Sequence, residues 1–497
     1  VNISMLLEMA ADGYGDRIAV GSLAGGVSYT RLRDESRAVA SELTRREADR
    51  LVLASVNIDE IPSLLFGSAM ASKTFTAVNY RLADDRLRDA VARCAPAVVV
   101  ADQSTGARIA GVPGLDDVPA SALVGAVPGD AADLAEPDPD GVAISLFTSG
   151  TSGAPKTVLL RHRNLVSYII STTEFMGAEE GEAALVSVPP YHVAGMASVL
   201  SNVYLGRRVV YMAQFDAHEW TATVDREGVT HAMIVPTMLS RILDVIEETG
   251  TTLSSLRHLS YGGGRMPTPV VQRALTLLPE VAFVNAYGLT ETSSTIALLG
   301  PADHRVSFGH ADPAVAARLG SVGRAVPGIE LQVWGFDGRP VAPGVKGEIV
   351  VRGEQVSGEY DGNDAKDADG WFHTNDNGWL DDEGYLFIEG RADDVIVRGG
   401  ENMSPGEIED VLLQHPSVAE VAVVGMPDEE WGEAVAAFIV PADGAAVDAD
   451  ELRSWVRERL RSSRMPSVVE FREALPYSET GKLLRRELRA QLAETGR

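Results

Sequence analysis

Residues 148–156 read TSGTSGAPK, a run of small hydroxylated residues and glycines closed by a lysine, and they follow an apolar stretch, 142–147, of strand character. Glycine lets backbone N–H groups approach phosphate oxygens, the Ser and Thr hydroxyls donate further hydrogen bonds, and Lys156 adds a compact positive charge. Thr148, Ser149, Gly150, Thr151, Ser152, Gly153 and Lys156 are therefore candidates to grip a polyphosphate. The spacing comes close to the G-x-x-x-x-G-K motif followed by Ser or Thr. It departs at Pro155, which stands where that motif needs glycine. The β-branched, apolar residues 157–160 also predict a second strand in place of a helix, so the run reads as a flap between two strands. Alone, it reads equally well as a Ser/Gly turn without a ligand.

Further segments carry polar chemistry that packing does not require. Residues 285–292, NAYGLTET, end a predicted strand and offer an amide, an aromatic face, hydroxyls and a carboxylate. Tyr287 could stack on an adenine, Asn285 could read its polar edge, and Thr290 with Glu291 could hold Mg²⁺ and the α-phosphate. In WFHTND, Asp376 follows an aromatic cluster, and Arg391 in GRADD ends a later strand. A carboxylate that accepts from two sugar hydroxyls, reinforced by a guanidinium, makes a ribose clamp. His192 in PPYHVAG stands between a strand and a helix, where it could face a pocket. Lys482 closes the polar turn YSETGK near the carboxyl end. Each has an ordinary alternative: a core aromatic, a surface carboxylate, a turn with a salt bridge, a structural histidine, a solvated lysine. Histidines 162, 218, 231, 258, 304, 310 and 415 receive the structural reading.

The elements that must position these residues alternate. From about 51 to 287, short apolar runs such as LVLASV, AVVVAD, RRVVYMA and THAMIV are interleaved with amphipathic helical stretches such as DDRLRDAVARC and TMLSRILDVIEET. That alternation predicts βαβ units with largely parallel sheets, which place ligand loops at the carboxyl ends of strands. From 329 the texture turns to short β runs with glycine turns, predicting a small antiparallel or barrel-like unit. A compact α+β segment follows 390–393, so the domains are expected at 1–392 and 393–497.

The whole-chain properties bound the partners. At 497 residues the chain is too long for one ordinary core. A net charge of −28, from 43 basic and 71 acidic residues, opposes binding to nucleic acid or an anionic membrane. The single cysteine, Cys94, excludes an internal disulfide framework and fits a reducing compartment. The first residues lack the basic start and apolar core of a secretion signal. No apolar run approaches the roughly 20 residues of a membrane span. A cytoplasmic protein is expected.

In order, TSGTSGAPK, PPYHVAG, YGGGRMP, NAYGLTET, WFHTND, GRADD, RGGENMSPGEIE and PYSETGK run through nearly the full length. With these motifs the chain resembles the acyl-CoA synthetases of the adenylate-forming superfamily, which also holds luciferases and peptide-synthetase adenylation domains. The resemblance implies an α/β protein with a large N-terminal domain of two α/β subdomains plus a β-barrel, and a small mobile α+β C-terminal domain. It implies ATP, Mg²⁺ and coenzyme A, with an acyl adenylate made first and a thioester second. By the same resemblance Lys482 is the catalytic lysine, stabilising charge between carboxylate and phosphate by roughly 3 to 4 kcal/mol. Glu291 holds the metal and Asp393 is the hinge. Gly399, Gly400 and Glu401 help form the pantetheine tunnel. His192 to Met196, Val235 to Leu239, Gly262, Gly263 and Gly264, and Ala286, Tyr287 and Gly288 border the acid and nucleotide pockets. Two residues depart from the family pattern, Thr157 after the flap lysine and Asn375 in the ribose turn, where glycine is usual.

The residues that would line the acid pocket are small or apolar, and Arg265 alone among nearby positions could pair with a second carboxylate. A fatty or aromatic monocarboxylic acid is therefore the expected substrate. Transfer to a carrier protein or an amine, activation of an unusual small oxyanion, and a nucleotide-binding regulator with a decayed site are the other readings. A homodimer is compatible with all of them.

Overall fold

In the computed structural model the described chain runs from Val1 to Glu494, apart from residues 47, 127–136, 149–155, 392–393, 399–400, 429–430, 443, 446 and 479–482; at 401, 402 and 494 only the backbone is described. The alternating pattern folds as predicted into two sheets built on parallel strands. In the first, Arg50–Ala54, Thr74–Ala77, Ala97–Ala101 and Val142–Thr148 run parallel, and Lys156–Arg161 turns back antiparallel on the last. In the second, Ala183–Val186 is the switch strand. The chain next lays Arg208–Tyr211 on one side of it, then crosses to lay His231–Ile234, His258–Gly262 and Ala282–Leu289 successively on the other. Sheets wound this way place their ligands at the carboxyl ends where the winding reverses.

The helix Pro236–Thr249 illustrates why these segments form. Proline at its start needs no N–H partner, and Leu239, Ile242, Leu243 and Ile246 recur on one buried face before Gly250 stops the helix at φ 71°. Each such side chain contributes at most about 1.5 to 3 kcal/mol by leaving water. Leu243→Asp would set a charge among Trp220, Leu259 and Leu275 and break the layer.

The first fifty residues, in which the sequence reading assigned no elements, join the two units. Helices Ile3–Tyr14 and Tyr29–Arg45 share one core with Phe75 and Ile144 of the first sheet and Val199 and Leu200 of the helix Val193–Leu205, which covers the second. Strand Ile18–Val20 pairs with Arg208–Tyr211. The two α/β units therefore pack as one body.

The expected β unit is a four-stranded antiparallel sheet of Glu330–Trp334, Gly347–Arg352, Phe372–Leu380 and Leu386–Arg391. Beyond it, the hairpin Ile396–Arg398 and Glu401–Met403, the long pair Val418–Asp428 and Gly432–Pro441, and Val468–Phe471 form the last sheet. Helices Pro405–Leu412, Ala449–Arg459 and Arg485–Glu494 pack on it. Among the described residues no helix is long and apolar enough to cross a membrane.

Candidate active site

The flap is a hairpin whose strands pair up to Thr148 and Lys156. Ser149, Gly150, Thr151, Ser152 and Gly153 lie outside the described residues. Lys156 is exposed, and its Nζ stands 5.0 Å from the centre of the Tyr360 ring. The Tyr360 hydroxyl in turn donates to Oε1 of Glu291 at 2.8 Å. Glu291 is 9% exposed, on the short turn Thr290–Thr292 that ends strand Ala282–Leu289, and its carbonyl accepts from the N–H of Gly358. Burial first, and then the Glu291 carboxylate, push the Tyr360 phenol well above its ordinary pKa, so it stays a donor. Thr157, where the family pattern has glycine, is buried and accepts from Arg93 Nη2 at 3.0 Å. The substitution thus ties the base of the flap to a neighbouring helix.

The clamp residues meet across adjacent strands. Asp376 and Arg391 are register partners, and Arg391 Nε stands 3.3 Å from Asp376 Oδ1. Tyr287 donates to Asp376 Oδ2 at 2.6 Å. Arg391 Nη1 also donates to the Thr374 carbonyl, while the Thr374 hydroxyl accepts from the Asp376 N–H. Burial above all, reinforced by Asp376, drives the Tyr287 phenol far above its ordinary pKa. A carboxylate has about four acceptor sites, so a carboxyl of this kind can take sugar hydroxyls as well as protein donors. The turn that aims Asp376 is Asn375 at φ 57°, a left-handed angle asparagine tolerates, and its N–H reaches Glu348 Oε1 at 3.3 Å.

The expected pocket residues converge because four neighbouring parallel strands end together. His192 precedes the helix after Ala183–Val186, with its ring 4.9 Å from that of Tyr191. Val235 follows His231–Ile234. Gly262 ends His258–Gly262, and Ala286, Tyr287 and Gly288 lie in Ala282–Leu289. Glycine is required where these backbones crowd: a Cβ on Gly288 would lie 1.8 Å from the Ser294 carbonyl oxygen, and one on Gly262 would lie 2.2 Å from that of Ala286. Gly263 and Gly264 face Val235 and Pro236, respectively. Asn285 donates its amide to the Ser321 carbonyl, which fixes the strand beside the pocket. Arg265, the nearby cation, turns away from the pocket to the acidic helix Pro405–Leu412.

Lys482, Asp393, Gly399 and Gly400 lie outside the described residues, and Glu401 is described by backbone alone. The described neighbours of Lys482 are orderly: Tyr477 and Leu483 form an antiparallel bridge, and Leu484 N–H donates to the Pro476 carbonyl. Tyr477 donates to Glu420 and lies within electrostatic reach of Arg241 on the pocket helix Pro236–Thr249. Val397 and Trp431, beside the Arg398 hairpin, are about half exposed at 47% each. Tyr477 is itself 36% exposed.

The residues fit a nucleotide with its metal. Mg²⁺ needs one or two carboxylates plus phosphate oxygens, not a protein cage, and Glu291, joined to the flap lysine through Tyr360, is a carboxylate of that kind. Among the described residues no group of three His, Cys, Asp or Glu side chains could hold a metal alone. Sequence reasoning missed Tyr360, Thr374 and Arg93. Tyr360 stands in the two-residue strand Glu359–Tyr360, which carries no periodic signal.

Residues 7–361 match the AMP-binding enzyme family, and residues 407–482 match the AMP-binding enzyme C-terminal domain. Feruloyl-CoA synthase of an Amycolatopsis species is 35% identical over 455 residues, 89% of each chain. The fatty acid–acyl-carrier-protein ligase ScoC of Streptomyces coeruleorubidus is 32% identical over 481 residues, 93% of this chain and 91% of that one. The o-succinylbenzoate CoA synthetase (MenE) of Bacillus subtilis, solved with its acyl-adenylate intermediate, shares the fold with a TM-score of 0.83, at 27% identity over 97% of each chain. The same enzyme has also been solved with ATP and a magnesium ion.

Proposed function

Because the chain belongs to the AMP-binding enzyme family, we propose that it is an AMP-forming acid–thiol ligase that activates an aromatic or fatty monocarboxylic acid with ATP and transfers the acyl group to coenzyme A. The observation that carries this reading is the presence of two clusters, Tyr287 with Asp376 and Arg391, and Lys156 with Tyr360 and Glu291. One group suits a ribose and the other a metal-bound triphosphate, the two ends of one nucleotide.

In the first half-reaction the carboxylate oxygen of the acid attacks the α-phosphorus, pyrophosphate leaves, and the acyl adenylate remains. Asp376 and Arg391 hold the ribose, which fixes the α-phosphate against the carboxylate and replaces a bimolecular search by positioning. Lys156 and the flap hold the β- and γ-phosphates. Glu291, oriented by Tyr360, would hold Mg²⁺, which neutralises charge on the leaving pyrophosphate when bound. Lys482 belongs to the small C-terminal module, and it stabilises the negative charge shared by the attacking and phosphoryl oxygens. In the second half-reaction the small domain, residues 393–497, turns about Asp393. The Arg398 hairpin with Gly399, Gly400 and Glu401 then replaces the lysine edge, and the thiolate of coenzyme A attacks the acyl carbon and expels AMP.

The apolar pocket wall and the outward turn of Arg265 favour an acid with one carboxylate, in keeping with the aromatic substrate named for the feruloyl relative. The carrier-protein ligase among the relatives supports a second reading, transfer to a carrier-bound pantetheine. One experiment tests both: pyrophosphate release with ATP across aromatic, fatty and small acids, with coenzyme A, with a phosphopantetheinylated carrier, and with neither. Acid-dependent release with thioester on coenzyme A is expected. Thioester on the carrier alone would give the second reading, and background release with every acid would overturn both.

A further inference from the structure

Arg265 follows the pocket glycines directly, yet its side chain serves the other domain. Nη2 donates to Oδ2 of Asp410, and Nη1 stands 3.8 Å from Oε2 of Glu409. Both carboxylates belong to the helix Pro405–Leu412. The guanidinium lies so close over Gly406 of that helix that a Cβ there would fall 2.4 Å from Nε. Glycine at 406 is what lets the planar group settle on the helix.

The contact continues inward on the small domain and outward on the large one. Glu409, with a side chain only 7% exposed, accepts at Oε1 from Arg485 Nη2 at 2.6 Å and from the Val423 N–H at 2.9 Å. Arg485 opens the helix that follows Lys482 in sequence. Asp410 meets the start of the large-domain helix Thr268–Leu277. There Pro267 occupies the cap position without a side-chain hydrogen bond, and the Thr268 backbone N–H favours the charged carboxylate. Burial raises the Asp410 pKa more than Arg265 lowers it, and Oδ1 is buried without a hydrogen bond. With side chains 34% and 24% exposed, the pair is only partly withdrawn from water, so it loses little when both partners return to it. It suits a contact that must form and part in each turnover.

We propose that Arg265 and Asp410, backed by Glu409 and Arg485, form the latch that docks the small domain for the first half-reaction, so that Arg265 is a positioning residue linking the acid-pocket loop to delivery of Lys482. The inference rests on the ligase reading above. It implies that the pocket loop, once set around an acid, presents the guanidinium on which the small domain closes.

The test separates the half-reactions. Arg265→Ala and Asp410→Asn should each lower acid-dependent ATP–pyrophosphate exchange roughly tenfold, within the usual range of coupling between two sites. Thioester formation from a supplied acyl adenylate and coenzyme A should be unchanged. The double variant should be no worse than either single one, as for residues acting through one contact. Arg265→Met, which keeps the apolar stem, should behave like Arg265→Ala, which separates loss of the charge from loss of packing. Without any substrate, amide hydrogen exchange at 268–271 and 406–410 should speed up in the single variants. That measurement reads the latch even if no acid is turned over. Equal losses in both half-reactions, additive losses in the double variant, or unchanged amide exchange at the seam would each overturn the latch.

Discussion

The Tyr360 hydroxyl stands 2.8 Å from the Glu291 carboxylate while the same ring faces the Lys156 ammonium, so one tyrosine links the flap to the acidic end of the site. A hydrogen bond to a charged group contributes about 1.5 to 3 kcal/mol, and it also fixes which carboxylate oxygens face the pocket. Tyr360→Phe keeps the ring and removes only the donor. The Mg²⁺ concentration giving half-maximal pyrophosphate exchange should rise about tenfold or more, with little change in the apparent affinity for the acid. A Mg²⁺ titration at saturating ATP and acid checks this, and an unchanged midpoint would remove Tyr360 from the metal end of the site.

The ribose clamp gives a prediction about discrimination. Asp376→Asn keeps the shape but replaces one acceptor oxygen by a donor, which opposes both Arg391 and the sugar hydroxyls. The wild-type protein should bind ATP at least about tenfold more tightly than its 2′,3′-dideoxy analogue, and the variant should bind the two alike. Calorimetry with both nucleotides decides it.

Much of this geometry was legible in the chain because local pattern dictated it. The strands ending at Val186, Ile234 and Gly262 are apolar runs between helical stretches, and that alternation alone places His192, Val235 and Gly262 at one sheet edge. Asn375 stands where the resembling family usually has glycine, and its angle of 57° is one that asparagine tolerates. The residues that sequence reading passed over depend on pairings between distant segments. Tyr360 reaches Glu291 through a two-residue strand added to the flap sheet at Val158, and Arg93 reaches Thr157 from a separate helix. Arg265 was legible as a cation beside the pocket, but its direction is set by carboxylates on a domain packed against it. No periodicity encodes such a contact.

Asn375 also predicts a stability effect. At φ 57° a Cβ without a compensating polar group costs roughly 1 to 2 kcal/mol. Asn375→Ala should lower the midpoint of denaturant unfolding and weaken ATP binding together, because the same turn aims Asp376. Asn375→Gly should spare both. If Asn375→Ala were as stable as the wild type, the turn would not be under that constraint.

His162 makes the fold sensitive to acid. It is 2% exposed, its Nδ1 accepts from the Ile3 N–H, and burial lowers its pKa from 6.5 to about 4. The folded state therefore binds fewer protons than the unfolded state between those values. Its stabilising contribution is complete above pH 6.5 and is lost as pH falls toward 4. Between pH 7 and 5 that loss is about 2 kcal/mol. His231, lowered to about 3 by burial first, adds to it in the same window. His162→Asn keeps an acceptor and does not titrate, so its unfolding free energy should fall less over that range. Urea unfolding at the two pH values gives the difference directly.

Lys482 tests the division of labour between the domains. On either side of it Tyr477 and Leu483 form an antiparallel bridge, and Tyr477 lies within electrostatic reach of Arg241 on the helix Pro236–Thr249. The resemblance assigns the lysine edge, and not the hairpin, to the nucleotide in the first half-reaction. Lys482→Ala should therefore lower acid-dependent pyrophosphate exchange by a factor of about 10² to 10³, the usual effect of losing one preorganised charge at a transition state. ATP binding by calorimetry should change little, because Asp376, Arg391, Lys156 and Glu291 remain. Thioester formation from a supplied acyl adenylate should also persist, since the thiol approaches after the small domain has turned. Parallel loss of both half-reactions would mean that the lysine holds the acyl adenylate itself and that the two chemistries do not use opposite edges of the small domain.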